Sequence, residues 1–144
     1  MSVAQILRHK GSEVVTVRVD TTIAEAAQTL ARRNIGAVIV MSRDGSIAGV
    51  LSERDIVKAL ARTGSKALVD PVTLYMTARV ETCEPEDRID EIMERMTEGR
   101  FRHMPVCEES RLVGIISIGD VVKRRIADAE YEARSMMSYI ATAG

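Results

Sequence analysis

The sequence predicts an α/β protein built from two copies of one β-α-β-β-α unit, with a helical extension at the C-terminus. Three observations predict it. The chain is self-similar with a period of about 65 residues, amphipathic helical stretches fall at matching places in both copies, and short apolar runs of strand length lie between them. Ile23 matches Ile89 and Val40 matches Val106. After a turn one residue shorter in the second copy, Gly49 matches Gly114, Ser52 matches Ser117 and Asp55 matches Asp120.

Each copy starts with a β-rich lead-in, Val14-Val15-Thr16-Val17 in the first and Val80-Glu81-Thr82-Cys83 in the second. A helix follows. Ile23, Ala26, Ala27 and Leu30, and in turn Ile89, Ile92, Met93 and Met96, recur at steps of three and four and so share one face. Thr22 with Glu25 reads as a capping box, in which a hydroxyl accepts from an orphan amide. Two apolar strands joined by a turn come next, and then a second helix starting near Arg54 or Gly119. A three-stranded sheet covered by helices is expected in each copy. A unit of ~60 residues has little core, so the two are expected to bury their sheet faces together. The polar stretch Arg62-Thr63-Gly64-Ser65-Lys66 reads as the linker. The expected organisation is a first repeat over 1–66, a second over 67–127, and a helical extension over 128–144.

Composition removes several classes of function. The chain of 144 residues is 46% hydrophobic and has 20 basic against 21 acidic residues, so bulk attraction to nucleic acid is not expected. Three Tyr, one Phe and no Trp make a poor stacking platform for single strands. No apolar run reaches ~18 residues, as a membrane-spanning helix requires. The N-terminus charges too quickly for a secretory leader. Cys83 and Cys107 lack metal-type spacing and are too few for a disulfide framework, which places the chain in the reducing cytosol. His9 and His103 alone make no metal cluster, and no P-loop, GxGxxG, HExxH or nucleophile elbow is present. No catalytic activity is expected.

Two constellations remain. Asp55 and Asp120 stand at strand-to-helix junctions three residues after Ser52 and Ser117. A carboxylate there can accept both hydroxyls of a ribose, or simply cap the helix. Arg102 and His103 are adjacent on a strand and so point to opposite faces, unless the chain turns enough at the strand end for both to reach one phosphate.

The repeated pattern Gly49-Val50-Leu51-Ser52-x-x-Asp55 and Gly114-Ile115-Ile116-Ser117-x-x-Asp120, with Arg102-His103-Met104-Pro105-Val106 before the second and Leu74-Tyr75-Met76-Thr77 opening it, resembles the cystathionine-β-synthase (CBS) domain. The two copies cover the chain from about Ile6 to about Ala127. The resemblance implies a pseudo-two-fold pair, a Bateman module, with clefts between the copies for AMP, ADP, ATP, NAD or S-adenosylmethionine, and a regulatory output to another protein. It assigns Ser52, Asp55, Ser117 and Asp120 to the ribose and Arg102 and His103 to phosphate. The adenine pocket is expected from Thr21, Ala26, Ile35, Gly36 and Ala37, with Ile115.

The copies are unequal. Gly36 and Ala37 stand where the second copy has Arg102 and His103, while Arg54 stands where it has Gly119. Two clefts of different strength are expected, with Arg54 the main phosphate contact of the weaker one. Beyond the repeats, Val122, Ile126, Ala129, Ala133, Met136 and Ile140 alternate steps of four and three like a coiled-coil seam, which points to a homodimer. The favoured function is a non-catalytic adenine-nucleotide sensor acting on a separate protein, without membrane or nucleic acid. A ligand-free dimerising scaffold is the alternative. An enzyme related to IMP dehydrogenase is disfavoured, because no barrel or catalytic cysteine loop is present.

Overall fold

A computed structural model describes residues 1–143, with the side chain of Ala143 excepted. Among the described residues, five α-helices and five strands form a mixed α/β fold: α1 (Val3–Lys10), β1 (Thr16–Arg18), α2 (Ile23–Arg33), β2 (Ala37–Met41), β3 (Ile47–Ser52), α3 (Glu53–Thr63), α4 (Ile89–Gly99), β4 (His103–Glu108), β5 (Arg111–Ser117) and α5 (Ile118–Ala143). Short 3-10 turns at Gly64–Val69 and Val72–Leu74 lie between α3 and α4.

The chain separates into two compact units, and these do not follow the repeat boundaries. One is continuous, Glu13–Glu81; the other joins Met1–Ser12 to Thr82–Gly144. The opening segment of each repeat, residues 1–12 of the first and 67–81 of the second, therefore packs on the other repeat's unit and serves here as its lead-in. The two lead-ins attach by the same bonds. Ile89 N donates to Met1 O (3.1 Å) and Val3 N to Asp87 O (2.9 Å), while Ile23 N donates to Asp70 O (2.9 Å) and Val72 N to Thr21 O (2.8 Å). Met1 thus corresponds to Asp70 and Val3 to Val72.

In the Glu13–Glu81 unit, β2 pairs parallel with β1 and antiparallel with β3. Ile23, Ala26 and Leu30 of α2 pack with Val38, Val40, Leu51, Ile56 and Val72 in its core. Each large aliphatic chain buried there contributes about 1.5–3 kcal/mol. Thr22 caps α2: its hydroxyl accepts from Glu25 N (3.2 Å) and donates to the Glu25 carboxylate (3.0 Å).

In the other unit the sheet has two strands, β4 and β5, instead of the expected three. Residues 80–83 contribute a single bridge, with Cys83 N donating to Pro105 O (3.0 Å) and Cys107 N to Cys83 O (2.8 Å). The first copy supplies a β-branched run there. The second has one Val followed by Glu81, Thr82 and Cys83, and then Pro85, which has no donor for a ladder. Val3, Ile6, Ile89, Ile92, Met96, Met104, Val106 and Ile116 form the core of this unit.

Helix α5 runs unbroken from the end of β5 through the extension to Ala143; Gly144 lies outside the described residues. Its inner face carries Val121, fully buried, followed by Arg124 and Asp128, which bond each other at 3.0 Å. Arg125 pairs with Asp90 of α4. The expected seam lies elsewhere on the helix: Ile126 is 54%, Met136 69% and Ile140 67% exposed. Among the described residues no helix is long and apolar enough to cross a membrane.

Candidate functional site

Both junctions are capping boxes. At the start of α3, Ser52 N donates to Asp55 Oδ2 (2.9 Å), Ser52 Oγ donates to the same oxygen (3.1 Å), and Asp55 N donates back to Ser52 Oγ (3.3 Å). At the start of α5, Ser117 N donates to Asp120 Oδ2 (2.8 Å) and Asp120 N to Ser117 Oγ (3.2 Å). The helix-capping role of these serines and aspartates is thus realised in full. It still leaves each carboxylate presented at the end of a strand, beside the amide-rich helix start that favours negative charge.

Strand register decides what lies beside each junction. Ala37 pairs with Ser52, and His103 with Ser117. Paired residues share a face of the sheet, so the imidazole of His103 stands next to the second box while a methyl group stands next to the first. Glu53 N donates to Gly36 O (3.0 Å), and Ile118 N to Arg102 O (2.8 Å). Strand β4 begins at His103, so Arg102 precedes it, where the alternation of faces does not apply. The second junction therefore has Arg102 and His103 attached to it through backbone bonds, and the first has Gly36 and Ala37.

Lys10, at the last turn of α1, is a member of this group that sequence reasoning missed. Its Nζ donates to Ile115 O (3.0 Å) and to Asp120 Oδ2 (2.8 Å), with the two side chains 34% and 23% exposed. Burial alone pushes the Asp120 carboxyl up. The bonds from Lys10 and from the Ser117 amide outweigh it and hold the group below the usual aspartate value of 3.8. The basic last turn of α1, Arg8-His9-Lys10, is the only local signal, and it says nothing about a partner 110 residues away.

The remaining predicted residues divide between the units. Thr21, Ala26, Ile35, Gly36 and Ala37 belong to Glu13–Glu81, as do Ser52, Arg54 and Asp55. Thr21 closes a turn, its hydroxyl accepting from Arg18 N (3.1 Å). Ala26 has no exposed surface and is drawn wholly into the core of its unit. Ile35 and Gly36 are half-buried. Ile115 is half-buried in β5 of the other unit. Arg54 is exposed in the first turn of α3, where a cation opposes the helix dipole. At the matching Gly119, a Cβ would meet only Ser117 Oγ at 3.6 Å, so the space above it is open.

Neither cysteine has the character of a redox switch. Burial, seconded by the Asp87 charge, pushes the Cys83 thiol up to about 12, and burial raises Cys107 as well. A reactive thiol needs the opposite shift. Among the described residues no three His, Cys, Asp or Glu side chains are grouped to hold a metal ion.

The sequence matches the CBS domain family over residues 3–62 and 70–127. The fold is similar to that of a CBS-domain containing protein from Agrobacterium tumefaciens, 51% identical, with a TM-score of 0.83 over 86% of this chain and 92% of that one. A CBS domain protein from Pyrobaculum aerophilum, complexed with AMP, is 28% identical with a TM-score of 0.74, covering 83% and 89% of the two chains. A CBS domain pair in complex with 5′-methylthioadenosine and S-adenosyl-L-methionine is 25% identical with a TM-score of 0.78, covering 89% and 98%.

Proposed function

The chain belongs to the CBS domain family, and on that premise we propose that it is a non-catalytic sensor of adenine nucleotides that signals to a separate protein. One observation carries the reading. At the second junction a carboxylate able to take a ribose diol is flanked, through the His103–Ser117 strand pairing and the Ile118 N to Arg102 O bond, by an imidazole and a guanidinium able to take a phosphate. AMP in one relative and S-adenosyl-L-methionine in another support an adenosine-bearing ligand.

Ser117 and Asp120 then hold the ribose, with Arg102 and His103 on the phosphate. Ser52 and Asp55 serve a second, weaker position with Arg54 as its cation. Of the residues expected around the adenine, Thr21, Ile35, Gly36 and Ile115 are half-buried and keep surface for a contact, whereas Ala26 and Ala37 are buried. The exposed seam on α5 pairs two copies of the chain, whose compartment is the cytosol. The bonds within each capping box also favour a second reading. Both aspartates already have a structural task, as they would in a dimerising scaffold that takes no ligand.

Calorimetric and thermal-shift titrations with AMP, ADP, ATP, NAD and S-adenosylmethionine separate the two readings. A sensor at about 100-fold excess over Kd gains roughly 2.7 kcal/mol, a melting rise on the order of 5–10 °C for a domain of this size. Neither heat nor a melting shift with any of the five leaves the scaffold.

A further inference from the structure

Lys10 already occupies one oxygen of the carboxylate that a ribose diol would grip with both. Asp120 Oδ2 takes the Ser117 amide and the Lys10 ammonium together. Hydroxyls arriving at that carboxylate meet an acceptor whose charge is already answered. Asp55 meets no such rival. The lead-in register that matches Met1 to Asp70 puts Arg79 in the place of Lys10. However, the second lead-in leaves its 3-10 turn at Leu74, and Thr77 pairs with Val50 instead of continuing as a helix. Among the described residues, Arg79 accordingly makes no ion pair with Asp55, whose carboxylate bonds go to Ser52.

We propose that Lys10 is a specificity-determining residue of the Asp120 site, selecting ligands that carry a phosphate as well as a vicinal diol. The proposal rests on the adenine-nucleotide reading above. A diol alone displaces the ammonium from Asp120 and leaves it without a counter-charge. A nucleotide displaces it too, and its phosphate, drawn to the same end of the unit by Arg102 and His103, gives the flexible lysine a new anionic partner. Adenosine thus has to break the Lys10–Asp120 pair without return, whereas AMP exchanges one charged contact for another.

Titration of adenosine and AMP against the full chain, Lys10→Met and Lys10→Arg tests this. Lys10→Met is expected to tighten adenosine, up to about fivefold for a partly exposed pair, and to weaken AMP by about tenfold or more through the lost charged contact. The AMP-over-adenosine preference then collapses. Lys10→Arg retains the preference. Should Lys10→Met lose its fold, Lys10→Gln, which keeps a donor for the Ile115 carbonyl, is expected to shift both affinities in the same directions. If wild type binds AMP and the preference is unchanged without the charge, Lys10 is only a structural pair; the proposal falls and the nucleotide site stands. If wild type binds neither compound, both fall together.

Discussion

Gly49 lies directly against Met76. A Cβ at Gly49 would stand 2.6 Å from Met76 Sδ and 2.7 Å from the carbonyl oxygen of Thr77. Gly114 holds the matching place in the other unit, where a Cβ would stand 2.7 Å from Leu7 Cδ2. The glycine of the repeated motif is therefore a seat for the apolar side chain of a lead-in segment.

The two seats differ in what must yield. At Gly49 the obstacle includes backbone that is clamped by Val50 N to Thr77 O (3.0 Å) and Thr77 N to Val50 O (2.9 Å). At Gly114 it is the end of a leucine that can change rotamer. Overpacking of this kind costs about 1–3 kcal/mol. Gly49→Ala is expected at or above the top of that range and Gly114→Ala near the bottom, measured by urea unfolding. Equal losses would show that Leu7 is as immobile as the Thr77 backbone.

The Asp120 carboxyl titrates below its ordinary value in the folded chain. Its contribution is therefore fully present above the unfolded value near 3.8 and lost as pH falls through the lower folded value. Melting temperatures of wild type and Asp120→Asn, measured from pH 7 to pH 2, are expected to differ most at the neutral end and to converge in acid. A gap that stays constant across the series would place the contribution in packing and not in charge.

Nucleotide binding should separate the aspartates. Each closes a capping box, so Asp55→Ala is expected to cost about 1 kcal/mol of stability, and Asp120→Ala somewhat more, because it also gives up the Lys10 pair. Only Asp120 has a guanidinium and an imidazole attached to its junction. AMP affinity should thus fall further in Asp120→Ala than in Asp55→Ala, and Arg102→Ala should lose about 1.5–3 kcal/mol of a charge-assisted contact. Calorimetry showing equal losses from both aspartates would remove the inequality of the sites.

For α5, sedimentation of wild type against a Met136→Glu, Ile140→Glu double variant reads the seam. The wild type is expected as a dimer and the variant as a monomer with its helical signal unchanged, because both side chains lie in solvent within one chain. A variant that still sediments as a dimer would move the contact to another surface.

Elements set by short-range pattern were legible in the sequence. Ile23, Ala26 and Leu30 announced the buried face of α2, and Ser52 with Asp55 announced the start of α3. Features that depend on distant chain were not. The weak β pattern of Val80–Cys83, with Pro85 close behind it, was there to be read, but that the segment keeps a single bridge to β4 shows only in the structure. Ala26 lies on the buried face that the spacing predicts, and its full burial leaves it no surface for the adenine contact also expected of it. Lys10 reaches Asp120 only because α1 packs with the second repeat, and no periodicity encodes that pairing.

The exchange of lead-ins between the repeats also sets an order of assembly. The Glu13–Glu81 unit is continuous and has all of its core once residue 81 has left the ribosome. The other unit must hold Val3 and Ile6 in reserve until Ile89, Ile92 and Ile116 have been made. Closing so long a loop is costly until the intervening segment has collapsed, so the continuous unit acts as the clamp that brings the two ends of the chain together. Residues 1–12, although synthesised first, thus have no core to join until the C-terminal segment has been made. A lesion in them, Val3 above all, would injure the C-terminal half of the protein and leave the repeat beside them in sequence intact.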